Sequence, residues 1–170
     1  AVDVLFVADV RFEGGTSTAL AVEIRAAARA GLRTGLLAIK GPLLGLPFPM
    51  HPDLRWLIDE GLTERIDPDM RLHARLVLIH HPTIIENRPT RALSITTDRL
   101  LVVLHHPMYD GHDRRQYDLA RVIAHACDAF GSDVFLAPVS TVVRDSLPRS
   151  LPPYAHMLEE DWGNLIDLDD

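Results

Sequence analysis

One stretch of sequence, residues 2–39, decides the fold: VDVLFVADVRFEGGTSTALAVEIRAAARAGLRTGLLAI. Its first part, Val2–Ala8, is a compact apolar run typical of a buried β-strand. A short polar loop with Gly14 and Gly15 follows, then an Ala-rich helical segment, and residues 33–39 are a second apolar strand. A strand–helix–strand order of this length predicts two parallel strands joined by a right-handed crossover.

The helix of this unit has recognisable ends. Thr16 or Ser17 is suited to cap its N-terminus, the helical pattern continues to about Ala30, and Gly31 is placed to close it. Apolar residues at helical spacing predict an inward-facing stripe, namely Leu20, Ile24, Ala27 and Ala28. Charged residues between them are expected to face outward, namely Glu23, Arg25 and Arg29.

The remaining chain continues the alternation of strands and helices. Apolar runs predict further strands at residues 62–66, 75–79, 100–104 and 134–137. Helical patterns predict helices at about 53–60, 114–130 and 140–147, and residues 83–97 are ambiguous, with a short helix at 91–95 as one interpretation. Cys127 lies on the apolar stripe of the helix at 114–130, which favours a buried, inert thiol. The pattern predicts an α/β protein, a three-layer α/β/α sandwich with a mostly parallel sheet.

Length and composition narrow the class of protein further. A chain of 170 residues with 47% hydrophobic and 24% charged residues is expected to form one globular domain. The net charge of -7 argues against nucleic acid as a partner, and much of it comes from six acidic residues within 159–170. A single cysteine, no membrane-length apolar run and no visible signal peptide favour a cytoplasmic location.

Ligands of open parallel sheets bind beyond the carboxyl ends of the strands, which selects three loops here: 9–16, 80–83 and 105–113. The first loop contains Gly14 and Gly15 at a helix N-terminus, where a backbone can approach an anion closely. Arg11 in the same loop also favours an anionic ligand. The loop is neither a dinucleotide fingerprint, since a third glycine is missing, nor a P-loop, since no lysine follows the glycines.

The other two loops begin with the same short sequence. Residues 76–82 read LVLIHHP and residues 101–107 read LVVLHHP, so a strand followed by His-His-Pro recurs after 25 residues. If the two strands are parallel neighbours, four of the nine histidines meet at one edge of the sheet. Because adjacent residues of a strand point to opposite faces, one histidine of each pair is expected to face the cleft and the other to pack. Imidazoles at such a place transfer protons or bind metals.

A looser group follows the second histidine pair. Asp110, His112 and Asp113 lie in the loop after Pro107, and carboxylates with imidazoles are ligands that Zn²⁺ accepts. This spacing keeps open the alternative of a small metal-dependent hydrolase that uses the histidine-rich sheet edge. A non-catalytic binding domain is a further alternative.

Several segments together resemble the N-terminal domain of GT-B glycosyltransferases, most closely the retaining enzymes of group 1. Residues 4–39 resemble the first strand, Gly-Gly turn and long helix of that domain, with Arg11-Phe12-x-Gly14-Gly15 in the loop. The strand that ends at His105-His106 is similar to the family's strand before its histidine. Residues 134–144 (VFLAPVSTVVR) and 162–167 (WGNLID) resemble its late strand with a following serine and its lead into the second domain.

This resemblance implies a Rossmann-like fold and half of a two-domain enzyme. Residues 1–158 would be the acceptor-side domain and residues 159–170 an acidic connector toward a C-terminal Rossmann domain, which is the implied partner. The activity implied is transfer of a sugar from a nucleotide-sugar donor to an unknown acceptor, with no turnover by the isolated domain. No cofactor or resident metal is implied beyond the donor itself, and membrane association is left undecided.

The resemblance also implies roles for individual residues. His106 takes the family's histidine position, where it contacts the transferred sugar, and is the expected catalytic residue. Residues expected to bind substrate are Arg11, Gly14, Gly15, Thr16, His105 and Tyr109. His80 and His81 correspond to no motif of the family.

Overall fold

The computed structural model describes residues 1–42 and 44–163, and its described strands form one wholly parallel, seven-stranded sheet. The strands are β1 (Val2–Ala8), β2 (Thr34–Ala38), β3 (Glu64–Ile66), β4 (Leu72–His80), β5 (Ile95–Leu104), β6 (Val134–Pro138) and β7 (Ala155–Met157). The helices are α1 (Gly15–Arg29), α2 (Pro52–Asp59), α3 (Thr83–Glu86), α4 (Leu119–Phe130) and α5 (Thr141–Asp145). The predicted α/β sandwich is therefore confirmed.

The strands lie in the order β3-β2-β1-β4-β5-β6-β7, so the direction of winding reverses between β1 and β4. The connection after β1 leads to α1 on one face of the sheet, and the connection after β4 leads to α3 on the other. This reversal is typical of Rossmann-like sheets, and it opens a crevice at the carboxyl ends of β1 and β4. The fold thus places a candidate site between the loop after β1 and the histidines after β4.

Each face of the sheet has its own hydrophobic core. On one face α1 and α2 cover Phe6, Leu36 and Leu78, with Leu20 and Leu54 fully buried against them. On the other face α3, α4 and α5 cover the alternate residues of the same strands. That second core includes Val7, Val77, Ile79, Val102, Tyr117 and Phe130. The near-continuous apolar runs of the central strands follow from this burial on both faces.

The ends of several helices and strands agree with the predictions made from the local sequence. Gly31 and Gly131 adopt left-handed conformations (φ 75° and 64°) just after α1 and at the end of α4, as glycines closing helices do. The Ser140 side chain accepts a hydrogen bond from Val143 N–H and caps α5, as expected. The strand at Val2–Ala8 has the predicted bounds.

Several local predictions were wrong. Helix α1 begins at Gly15, because the Gly14 carbonyl accepts the first helical hydrogen bond from Thr18 N–H, and it has no side-chain cap, because the N-cap Gly14 has no side chain. Helix α4 begins only at Leu119, where the Asp118 carboxylate caps Arg121 N–H. Residues 91–95 do not form a helix, since Ile95 already pairs with Leu72 in the sheet. Strand β7 was not predicted, because it is only three residues long and lies between prolines and the acidic segment.

The described part of the acidic segment packs onto the domain. Trp162 N–H donates to the Pro138 carbonyl at the end of β6, and the Arg144 guanidinium donates to Asp161 at 2.8 Å. Residues 164–170, which include most of the predicted connector motif, lie outside the described residues. No helix within the described ranges is long and apolar enough to cross a membrane.

Candidate functional site at the switch point of the sheet

A small cavity of about 40 Å³ lies at the crevice where the winding of the sheet reverses. Its lining comes from the loop after β1, from the start of α1 and from the segment after β4, namely Asp9, Phe12, Thr16, His80, His81 and Ile84. Two of the three loops selected from the sequence therefore meet here. The third loop reaches the same place through His105 and His106, which contact the histidines after β4.

The loop after β1 is held by a buried ion pair between Asp9 and Arg11. The guanidinium donates to both carboxylate oxygens (2.8 and 2.6 Å) and also to the carbonyls of Gly41 and Leu46. Burial acts to raise the pKa of Asp9, but hydrogen bonds from Arg11 and Gly41 N–H outweigh it and lower that pKa. Arg11 is thus largely occupied within the protein, and its predicted role in binding an anion stays a prediction.

The glycines expected at the ligand stand where α1 begins. Gly14 has φ 155°, a conformation that residues with a side chain rarely adopt, and neither Gly14 nor Gly15 has an atom within 4 Å of an added Cβ. Both are exposed, and Thr16 beside them lines the small cavity. The backbone at this helix N-terminus is therefore open to a ligand, as the sequence indicated.

A first chain of hydrogen bonds runs along the α1 face of the sheet edge. Glu23 Oε2 lies 2.8 Å from His80 Nε2, and His80 Nδ1 lies 3.2 Å from His105 Nε2. The second oxygen of Glu23 accepts from the Trp162 indole N–H at 3.0 Å. His80 and Glu23 are buried, whereas His105 is half-buried and ends the chain. We call Glu23, His80 and His105 the carboxylate–imidazole chain.

A second chain of hydrogen bonds runs toward the opposite face. His81 Nε2 lies 3.0 Å from His106 Nε2, His81 Nδ1 lies 2.7 Å from the Thr83 hydroxyl, and His106 Nδ1 lies 3.3 Å from the Pro107 carbonyl. Because that carbonyl can only accept, His106 carries its proton on Nδ1 and accepts at Nε2 from His81. Thr83 then donates to His81. With these tautomers, both ring nitrogens of His81 and of His106 have a hydrogen-bond partner.

Crowding and burial keep the central imidazoles neutral. Burial lowers the pKa of His81 to about 3, and the neighbouring His106, His105 and His80 act in the same direction. Burial also lowers the pKa of His105 to about 4, helped by His80 and opposed by the negative charge of Glu23. Burial acts to raise the pKa of Glu23, but the hydrogen bonds from His80 and Trp162, together with the charge interactions with the neighbouring imidazoles, outweigh it and lower that pKa. At neutral pH His81 and His105 are therefore uncharged.

Aromatic rings enclose the second chain. The Phe12 ring stacks on His81 at 6.4 Å between centroids, and Tyr117 lies 5.5 Å from His106. Tyr117 is fully buried, its hydroxyl donates to the His106 carbonyl, and burial raises its pKa. Hydrogen bonds to His81 and to the Pro107 carbonyl, together with the Tyr117 ring, thus fix the orientation of the His106 ring, which belongs to the expected catalytic residue.

Tyr109 and the loose acidic group lie in the exposed loop after the second histidine pair. Tyr109 is 46% exposed and pairs with Arg115, while Asp110 accepts from His112 N–H and binds Arg114. Within residues 1–42 and 44–163, no three His, Cys, Asp or Glu side chains are arranged to hold a metal ion.

Glu23 and Trp162 belong to the site, yet sequence reasoning did not predict them there, and Thr83 was predicted only as the last residue of the loop 80–83. The prediction that Glu23 faces outward was wrong, since it is 8% exposed and bonded to His80. A signal was present: Glu23 is three residues after Leu20 and four before Ala27, so it shares their face of α1. Glu23 was nevertheless predicted to face outward, because charged residues on helices usually face the solvent. Nothing in the sequence marks Trp162 as the second partner of this carboxylate.

A larger, open cavity of about 830 Å³ adjoins the site beyond the ends of β1, β2 and β3. Asp9 and Arg11 form part of its wall, and so do the exposed bases Lys40, Arg55 and Arg65. Two exposed carboxylates, Asp59 and Asp67, share that wall and offset part of the positive charge. A polar ligand bound at the switch point has room to extend in this direction.

Comparisons with family models, curated proteins and solved structures give no match to this chain.

Proposed function

We propose that this chain is the N-terminal, acceptor-side domain of a GT-B glycosyltransferase, which transfers a sugar from a nucleotide-sugar donor to an acceptor. One observation carries the proposal: the Gly14-Gly15 turn leads into Thr16 at the small cavity that His80 and His81 also line, and the second histidine pair contacts the first. Thr16 and His81 line the same cavity, and His81 contacts His106 directly. The motif order along the chain, the Rossmann-like sheet and this convergence support the same function.

The roles divide between the backbone and the imidazoles. The amide groups at Gly14, Gly15 and Thr16 face a phosphate or a hydroxyl of the bound substrates, since a helix N-terminus favours negative charge. His106, whose two ring nitrogens are hydrogen-bonded to His81 and to the Pro107 carbonyl, contacts the transferred sugar through its ring, and His105 is a further substrate contact. Arg11 shapes the loop through Asp9, and Tyr109 lies at the exposed rim. A second Rossmann domain of the same polypeptide would supply the contacts to the donor nucleotide, so the isolated domain is expected to lack turnover.

The first test is the coding sequence that follows the codon for Asp170. It should encode a second Rossmann domain with an acidic pair and basic residues for a diphosphate. The full polypeptide should then transfer sugar from at least one member of a panel of UDP-, GDP- and ADP-sugars. A reading frame that ends at Asp170 would overturn the proposal, and so would a two-domain protein that consumes no nucleotide sugar across the panel and a broad set of hydroxyl acceptors.

A matched pair of variants tests the site itself. Replacing His106 by Ala should lower transfer by roughly 100-fold or more, because a positioning group at the reacting sugar is lost. His112→Ala alters an exposed histidine six residues later and should leave transfer unchanged. Circular dichroism of both variants checks that the fold is retained. Equal activity of the two variants would place the reaction elsewhere.

A further inference from the structure

The carboxylate of Glu23 is an unusual group to find beneath this sheet edge. Burying a carboxylate is costly unless both oxygens are hydrogen-bonded. Here Oε1 accepts from the Trp162 indole at 3.0 Å and Oε2 faces His80 at 2.8 Å. Because an ionised carboxylate only accepts hydrogen bonds, His80 must carry a proton on Nε2. The position of one proton is therefore fixed by the buried charge.

The Nε2 proton of His80 determines which nitrogen atoms of the carboxylate–imidazole chain donate and which accept. In the tautomer of His80 that carries its proton on Nε2, Nδ1 is an acceptor, so it receives the proton on Nε2 of His105 across 3.2 Å. The neutral His105 ring then has a bare Nδ1. This atom has no hydrogen-bond partner among residues 1–42 and 44–163, and the ring is only half-buried. The chain thus starts at the buried charge of Glu23 and ends on an unprotonated nitrogen of His105, next to His80 in the lining of the small cavity.

We propose that Glu23 and His80 are positioning residues that make His105 Nδ1 a proton acceptor for a hydroxyl group bound at the switch-point crevice. When the hydroxyl O–H bond breaks, its proton forms a bond with Nδ1 of His105. The Nε2 proton of His105 passes to Nδ1 of His80, which keeps its Nε2 proton and becomes an imidazolium beside Glu23. Because the pKa of Glu23 is lowered, the carboxylate stays ionised and balances the positive charge of His80.

This proposal rests on the proposed function for the identity of the hydroxyl. In that reaction the acceptor oxygen would attack the anomeric carbon of the donor as its proton leaves for His105, and the nucleoside diphosphate would depart with the electron pair of the broken bond. Proton acceptance by a positioned imidazole contributes about 10²–10⁴ in rate. A base on the protein predicts inversion at the anomeric carbon, whereas the group 1 resemblance implies retention. The anomeric form of the product is therefore an independent readout.

Surrounding groups also determine how the chain responds to pH. The titratable groups that face His105 are Glu23 on α1, His80 at the end of β4, His81 directly after it, and the adjacent His106. His80 and His106 oppose a positive charge on His105. Only Glu23 favours it, and it acts through His80. Removing the charge of Glu23 should therefore take away the one neighbouring group that favours a proton on His105.

The decisive experiment reads the tautomers by long-range ¹H–¹⁵N correlation spectra of ¹⁵N-labelled protein at pH 7. The wild-type chain should show protons on Nε2 of both His80 and His105. In the Glu23→Gln variant, the side-chain amide donates to His80 Nε2, so the proton of each ring should move to Nδ1. Glu13→Gln removes the same charge from an exposed residue of the neighbouring loop and should leave both tautomers unchanged.

The outcomes separate this proposal from the proposed function. A wild-type His105 with its proton on Nδ1 would overturn the relay without any variant, even if Glu23→Gln fails to fold. In the full polypeptide, Glu23→Gln should lower kcat by 10²-fold or more with little change in KM, while Glu13→Gln keeps both. Retention in the product, or an unchanged kcat, would overturn the base role while the transferase function stands. Correct tautomers without any sugar transfer would overturn the sugar-acceptor assignment alone.

Discussion

The imidazoles of His81 and His106 meet Nε2 to Nε2 at 3.0 Å, although the residues are 25 positions apart in sequence. Two neighbouring parallel strands end in the same His-His-Pro sequence. Their register places His80 opposite Val103, two residues before His105, so equivalent histidines are staggered by two residues and their rings meet along the strand direction. His81 reaches this contact with a left-handed backbone (φ 87°), which is rare for a residue with a side chain. The strained conformation turns the chain from β4 into α3 and directs the ring toward His106.

Two replacements of His81 separate the backbone strain from the side-chain contacts. Both His81→Ala and His81→Gly remove the imidazole and its bonds to His106 and Thr83. Only alanine keeps a Cβ in the left-handed region, so the glycine variant should be more stable by about 1 kcal/mol. Urea unfolding of both variants measures the difference. A more stable alanine variant would show that the backbone at this position is unstrained.

The Asp9–Arg11 pair is expected to stabilise the fold far more than an exposed pair does. Arg11→Leu leaves the carboxylate of Asp9 buried without its main partner and should lower the free energy of unfolding by about 3 kcal/mol. Arg91→Leu breaks an ion pair of similar length between Arg91 and Asp69, whose side chains are exposed, and should cost less than about 1 kcal/mol. Similar losses in the two variants would contradict a buried, stabilising role for Arg11.

Sequence periodicity predicted the sheet better than it predicted the site. The central strands are apolar runs buried on both faces, so their sequence pattern identifies them as strands even when their neighbours in the sheet are unknown. The meeting of the histidine pairs could also be predicted, because parallel order follows from the crossover helices. The partner of His80 could not, since a charged residue on a helix is normally solvent-exposed, and only tertiary contact with two donors makes Glu23 an exception. Trp162 reaches that carboxylate from 139 residues away, a separation that no local pattern encodes.

Gly35 in β2 is required for close packing rather than for backbone freedom. An added Cβ would lie 2.8 Å from Ile66 Cγ1 and 3.2 Å from Leu5 Cδ1, where the strand packs against β3 and the core. Gly35→Ala should therefore destabilise the protein by about 1–3 kcal/mol. Gly111→Ala, where nothing lies within 4 Å of the new Cβ, should change stability by less than about 0.5 kcal/mol. Thermal unfolding of the two variants compares them, and equal midpoints would contradict this packing.

Stability should fall as the pH decreases below about 6.5, before the carboxylates titrate. The folded-state pKa values of His81 and His105, about 3 and about 4, lie below the value of about 6.5 for an unfolded chain. The unfolded chain therefore binds more protons between these limits, and each histidine contributes stability that is complete above pH 6.5 and lost as the pH falls toward its folded-state pKa. The expected loss between pH 7 and pH 5 is on the order of 2 kcal/mol for each histidine.

A variant pair identifies the source of this pH dependence. His105→Phe keeps a ring at the position but removes its titration, so the loss of stability between pH 7 and pH 5 should shrink by roughly half. His112→Gln removes an exposed histidine and should leave the loss unchanged. Asp9 and Glu23, whose pKa values are lowered, contribute stability that is lost only at more acidic pH, below about 4.5, so they do not obscure this window. Urea unfolding at pH 7, 6 and 5 measures all three proteins, and an unchanged slope in His105→Phe would show that another group binds the protons.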